Sequence, residues 1–239
     1  MAWPQPRYAP DGPLARETMT LIRDVALDLN PDEYPLPYRS EFGYRTRYLC
    51  HFLRRRAQAG RWRGLGVSKL CVRGCRADAG APLARAGRVV VAPVRFDQEA
   101  FDGLGTQDRH EFNVAMLMAG LSKLAPCLET STSEVASALE AFRRGGYRDE
   151  WVHQSRLLRH AGLRATLLCA MDPGRFVLTL RLERGGGTVF EGEILETMPD
   201  ETIFAHRFRD VAIDRGAVIV SDRFGKTAFS LELDSLGRA

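Results

Sequence analysis

The sequence contains no apolar run of the roughly 18 residues that a membrane-crossing helix needs. Its opening, MAWPQPRYAPDGP, is Pro-rich and polar and lacks the apolar core of a secretory signal, so a cytoplasmic protein without membrane attachment is expected. Cysteine is scarce. Cys50, Cys71, Cys75, Cys127 and Cys169 are too few and too scattered for a disulfide framework. On a strand, Cys71 and Cys75 would share a face at roughly 13 Å, beyond disulfide reach. A Cys-x3-Cys with no second ligand pair is also a poor zinc site. There is no Gly-x-Ser-x-Gly, no Walker loop and no Gly-x-Gly-x-x-Gly. The Gly185-Gly186-Gly187 run lies between strand-like segments rather than before a helix, so it is not placed to cradle a phosphate. No cofactor and no metal is expected.

The most telling absence is of acid. From Phe42 to Ala77 there is no Asp or Glu, yet ten Lys or Arg. The whole chain carries only +4, so its positive charge is concentrated in this window. Lysine is also rare: of 34 basic residues only Lys69, Lys123 and Lys226 are Lys. Hydrophobic residues at 45% and charged residues at 27% are ordinary for a globular protein, and 239 residues suffice for a proper core.

Residues 1–12 read as an extended arm, and Pro13 can open a helix. In LARETMTLIRDVALDLN, residues Met19, Ile22, Val25, Ala26 and Leu29 recur at helical spacing, which predicts a helix ended by Pro31. PDEYPLPY, over 31–38, is too Pro-rich for regular structure. Tyr44, Tyr48 and Phe52, flanked by Leu49 and Leu53, make the apolar stripe of a helix over about 40–59. VSKLCVR (67–73) and GRVVVAPVRF (87–96) read as strands. Helices follow over about 106–125, with Thr106 as cap, and 133–144, opened by Ser133 and closed by Gly145-Gly146. A short helix is expected at about 149–161.

From residue 164 the apolar period changes from 3.6 to 2, and Asp-Pro-Gly, Gly-Gly-Gly, Asp-Arg-Gly and Phe-Gly-Lys mark hairpin turns. These patterns predict an α+β protein. Its central helices would pack on a five- to six-stranded antiparallel meander spanning about 164–233, beneath an N-terminal helical layer. Residues 1–38 would form an arm and helix, and 39–239 a single domain.

From about Gly66 to Leu233 the chain resembles a family of uncharacterised bacterial α/β proteins, on RFDQEAFDGL, HEFNVAMLMAGLSKL, GGYRDEW and TMPDETIF. The likeness covers about 70% of the chain and leaves out residues 1–38. Some similar small proteins are immunity proteins, which neutralise toxins exchanged between bacteria. The resemblance implies a binding protein that occludes its partner and transfers no catalytic residue.

Three histidine or acidic groupings invite chemistry. His110-Glu111 looks like the start of a zinc-protease helix, but Val114 stands where the second His belongs. His153 and His160, with Glu150 or Asp149, would share a helix face and could hold a metal or move a proton. Asp97, Glu99 and Asp102 could attract a cation or basic partner, or form a solvated loop. The basic window admits three readings: an acidic protein partner, steered by charge; nucleic acid, with phosphates neutralised and bases stacked on Tyr44, Tyr48, Phe52 and Trp62; or a solvated surface paired with acidic segments elsewhere. For a partner surface, Arg54, Arg55, Arg56, Arg61, Trp62 and Arg63 are the candidates, since Trp and Arg dominate binding hot spots. The leading expectation is an immunity protein with a cognate toxin as partner. A nucleic-acid accessory protein is the alternative, and an enzyme built on His153, His160 and Glu150 the third.

Overall fold

The computed structural model describes residues 18–77 and 82–236; the arm expected over 1–12 lies outside these. The chain parts into two compact units between Tyr147 and Arg148. The first contains β1 (Met19–Leu21), β2 (Asp24–Leu29), α1 (Leu36–Ala59), β3 (Arg63–Leu65), β4 (Lys69–Cys75), β5 (Ala84–Ala86), β6 (Val89–Arg95), α2 (Gln98–Asp102), α3 (Thr106–Leu124) and α4 (Thr132–Arg144). The second contains β7 (Asp149–Leu158), β8 (Leu163–Met171), β9 (Phe176–Arg184), β10 (Gly187–Thr197), α5 (Glu201–Phe204), β11 (Asp210–Asp214), β12 (Ala217–Ser221) and β13 (Thr227–Glu232).

The helix expected over 14–30 is, across its described part, the two strands β1 and β2. The sequence DVALDL satisfies both periods, because Val25 and Leu29 suit a helix face while Val25, Leu27 and Leu29 alternate as on a strand. A non-local partner decides the matter: Val25, Leu27 and Leu29 sit opposite Leu70, Val72 and Gly74 of β4 in parallel register. β4 pairs β6 in parallel on its other side, and β5 closes the order β2-β4-β6-β5 antiparallel to β6. The first unit therefore holds a mixed four-stranded sheet with a β-α-β crossover through α1, beside a two-stranded antiparallel sheet of β1 and β3.

Helix α1 starts earlier than its Pro-rich lead suggests, with Pro35 at the cap and Pro37 in the first turn, where the missing N–H costs no bond. It seals the free edge of β2. The Leu27 N–H reaches Cys50 Sγ at 3.3 Å, and Arg39 Nε donates to the Leu29 carbonyl at 3.0 Å, so the edge offers no template to another chain. Helix α3 packs on β4 and β6, and α4 packs on α1 and α3. Ser131 caps α4 by accepting from Glu134 N at 3.2 Å, while the cap position of α3 is Gly105, which offers no side-chain cap, and Thr106 is its first helical residue.

In the second unit, the helix expected at 149–161 is β7, paired with β8 along its length. The stretch lacks a 3.6-period apolar stripe, and β8 supplies a complete ladder. The single meander is also corrected. There are two antiparallel sheets, β10-β9-β8-β7 and β11-β12-β13. IFAHRFRDVAI does not run as one strand: Asp200 caps α5, and β11 begins at Asp210. Phe176 stacks on Phe204 with centroids 3.8 Å apart and also lies parallel to Phe208, so the connecting segment is drawn into the core. Alternate residues of β8 and β9, including Leu163, Leu167, Met171, Phe176 and Leu180, are buried with them. The helices α1, α3 and α4 belong to the first unit and pack around its mixed sheet.

The closest packing in the first unit is glycine-dependent. A Cβ at Gly120 of α3 would lie 2.3 Å from Val72 Cγ2, and one at Gly74 would lie 2.7 Å from Leu29 Cδ2. Gly120→Ala is therefore expected to destabilise by about 1–3 kcal/mol from overpacking, despite a gain of helix propensity. Gly43→Ala in α1, with nothing within 4 Å of the new Cβ, should instead stabilise by up to about 1 kcal/mol. Urea midpoints of the two variants check the opposite signs.

Candidate partner surface and clefts of the first unit

The basic window becomes α1 from Phe42 onward, a turn, β3, and β4 with Arg76 just beyond it. The turn is sharply held. The Gly60 N–H returns to the Arg56 carbonyl at 2.8 Å, Trp62 N to the Ala57 carbonyl at 2.8 Å, and Arg61 takes the left-handed φ of 52°. Trp62 is only 2% exposed. Its indole Nε1 donates to Glu134 Oε1 at 2.8 Å, and its carbonyl accepts from Ile22 N at 2.8 Å. Of the nominated partner-binding residues, Arg56, Arg61 and Arg63 are exposed, Arg54 and Arg55 are half-buried, and Trp62 is inside. Arg56, Gly60, Trp62, Glu134, Ser137 and Ala141 line a groove of about 420 Å³ between α1 and α4. The Arg56 guanidinium lies 5.0 Å over the Phe52 ring, which holds the cation beside the groove.

The aromatic residues interleaved with this charge are mostly committed to packing. Tyr48 is fully buried and Phe52 is 7% exposed, both against Phe142 of α4. Tyr44 alone of the four remains open, at 38%, with the Arg47 guanidinium 5.3 Å from its ring.

His110 and Glu111 join a network rather than a metal site. The Tyr48 hydroxyl meets His110 Nδ1 at 2.5 Å, and His110 stacks on Tyr147 at 4.9 Å. Glu111 is gripped by Arg143, with Nε at 3.0 Å and Nη2 at 2.9 Å, and the Tyr147 hydroxyl donates to it. The Arg143 and Tyr147 bonds hold the Glu111 carboxyl below its usual range. Tyr147 has φ 59° just after Gly145-Gly146, so this network clamps the end of α4 onto α3.

The structure does not gather His153, His160 and Glu150. His153 sits at a bulge in β7 with its ring edge-on to Phe208 at 4.8 Å. His160 lies in a turn beyond the end of that strand, roughly 15 Å or more farther on at strand rise. The shared helix face on which their proximity depended does not exist. Among the described residues no group of three His, Cys, Asp or Glu could hold a metal ion. All five cysteines are free thiols, and burial pushes the Cys50 thiol up to about 12 and that of Cys71 to about 11. Both stay protonated at neutral pH and are poor nucleophiles.

The acidic cluster has a definite setting. Asp97 caps α2 by accepting from Ala100 N at 3.0 Å, and Asp102 accepts from the Tyr38 hydroxyl at 2.8 Å. With Glu99 they line a cleft of about 520 Å³ that also takes in Tyr34, Arg76, Arg95 and Phe96. Tyr34, Arg76 and Arg95 were not candidates from the sequence. A signal existed: VSKLCVRGCR and GRVVVAPVR both end in Arg, which matters only once the two strands are known to run in parallel.

No protein-family model, curated protein or solved structure matches the chain. Among the described residues, no helix is long and apolar enough to cross a membrane.

The Glu111 clamp sets a pH dependence. Its depressed pKa means the clamp's contribution is fully present above the ordinary Glu value of about 4.3 and is lost as pH falls through the lower folded value. Arg143→Ala should cost on the order of 1 kcal/mol at pH 7, discounted for the solvent exposure of both partners, and less at pH 2.5. Urea denaturation of both proteins at the two pH values measures the difference.

Proposed function

We propose that this chain is an immunity-type binding protein that neutralises an acidic protein partner, a bacterial toxin, by stoichiometric occlusion. One observation carries the reading. Arg56, Arg61 and Arg63 stand exposed around a turn that is rigidly closed by backbone hydrogen bonds, beside a groove walled by α4. Arginines on a fixed frame lose little freedom on docking, and their guanidinium forks suit carboxylates. Trp62 acts in this reading as the frame: its ring and its bond to Glu134 set the spacing of Arg61 and Arg63.

The surface favours protein over nucleic acid. Single-strand binding gains from bases stacked on open aromatic rings. Here Tyr48, Phe52 and Trp62 are buried, which leaves Tyr44 without a row of neighbours. A nucleic-acid accessory role remains the alternative that the experiment separates.

The test is a pull-down of the tagged protein from its native host, with and without nuclease, beside an Arg61→Glu/Arg63→Glu double variant. The expected result is one stoichiometric protein that survives nuclease and moderate salt. The double variant should weaken its capture at least tenfold, mainly through a slower association rate, with no change in melting temperature. Material lost on nuclease treatment would replace this reading with phosphate binding. Undiminished capture by the double variant would remove the basic turn from the interface.

A further inference from the structure

The carboxyl ends of β2, β4 and β6 open into the cleft of about 520 Å³, at the opposite end of the sheet from the basic turn. In open α/β sheets this is the end at which ligands bind, because the chain leaves neighbouring parallel strands there and their loops spread around a crevice. The volume lies within the roughly 300–1,000 Å³ of small-molecule sites.

The cleft is built. Tyr34 follows β2, is 2% exposed, and donates its hydroxyl to the Phe96 carbonyl at 3.1 Å, tying the end of β2 to the end of β6 across β4. Tyr34, Phe42, Phe96, Phe101 and Phe112 form a continuous ring cluster beneath, with Phe96 edge-on to Tyr34 at 5.6 Å. This floor is rigid, and burial pushes the Tyr34 phenol up, so it stays a neutral donor.

The walls are of opposite charge. Cys75 pairs with Arg95 across β4 and β6, so Arg76 and Arg95 come from adjacent strand ends. Arg76 is pre-positioned: its N–H donates to Glu33, and its guanidinium lies 5.2 Å over the Tyr34 ring. Arg95 is exposed, and its guanidinium makes no hydrogen bond or ion pair among the described residues. On the other wall, Asp97 is occupied in capping α2 and Asp102 accepts from Tyr38 and Gln98. The Glu99 carboxylate has no such partner among the described residues.

We propose that this cleft binds a small zwitterion. Its carboxylate or phosphate would sit on Arg76 and Arg95, and its ammonium or guanidinium group would face Glu99 and Asp102. Two guanidinium groups that do not neutralise one another provide paired forks for one oxyanion. The three carboxylates opposite repel a polyanion such as a nucleoside triphosphate, and so select a ligand that also carries positive charge. The site is independent of the partner surface proposed above.

Calorimetric titration of the full chain tests it, with glycine, L-lysine, L-arginine and phosphoethanolamine as probes and acetate, inorganic phosphate and ethylamine as single-charge controls. The expected result is one site per chain, with at least one zwitterion at least tenfold tighter than the control sharing its anionic group. Amino acids against phosphoethanolamine decide between carboxylate and phosphate. Arg95→Ala should weaken that zwitterion at least tenfold, with Arg95→Lys restoring part of the loss; the side chain is exposed, so circular dichroism should be unchanged. Glu99→Gln should weaken the zwitterion and leave phosphate no weaker. No zwitterion binding, equal binding of the single-charge controls, or unchanged affinity in Arg95→Ala would each overturn the proposal.

Discussion

The first unit depends on the close approach of α3 to β4. Gly120 faces Val72, and Gly74 faces Leu29, Phe96 and Met116, with no room for a Cβ at either position. Seated this closely, α3 buries Val114, Leu117, Leu121 and Leu124 and spans both β4 and β6. Each fully buried side chain of this size contributes about 1.5–3 kcal/mol. Lys123 completes the contact by donating to the Pro93 carbonyl at 2.8 Å. With α3 in place, α4 returns over α1, and Phe142 inserts between Tyr48 and Phe52.

That arrangement assigns different chemistry to the two ends of one sheet. At the amino end of β4, the charge-dense turn from α1 into β3 is held out on a buried tryptophan. At the carboxyl end, the strands release two arginines beside three carboxylates over a floor of packed rings. α1 serves both ends. Its stripe of Phe42, Leu49, Phe52 and Leu53 is core, and its arginines lie around that stripe. A helix whose apolar face is fully used displays its charge only on the remaining arc. The positive window is therefore not a uniform patch. Its aromatic content is structural apart from Tyr44, and three of its five exposed arginines, Arg56, Arg61 and Arg63, gather at the turn, while Arg45 stands on α1 and Arg76 at the other end of the sheet.

The second unit is organised by a different interaction. Phe176, Phe204 and Phe208 lie nearly parallel, with Trp151 tilted against Phe176, and this ring stack anchors the segment joining the two antiparallel sheets. Outside it, Arg156 bonds Asp210 at 3.0 Å and Gln154 reaches the same carboxylate, tying β7 to β11. These contacts account for a break in the strand pattern that turn residues alone do not announce.

Local sequence determined what local physics controls. The helices at 106–124 and 132–144, much of the one at 36–59, and the strands near 69–75 and 89–95 follow from periodicity, glycine stops and β-branched runs, which need no distant partner. The alternation and turns after residue 164 likewise announced antiparallel strands. The fold decided what those patterns leave degenerate. DVALDL fits two periods, and parallel pairing with β4 made it a strand; β7 became a strand because β8 offered it a complete ladder. The same holds for the sites. The density of positive charge is a property of the chain, whereas the burial of Trp62, the separation of His153 from His160 and the meeting of Arg76 with Arg95 are properties of packing. Hydrogen-bond partners remote in sequence set them, and no single stretch of residues contains that information.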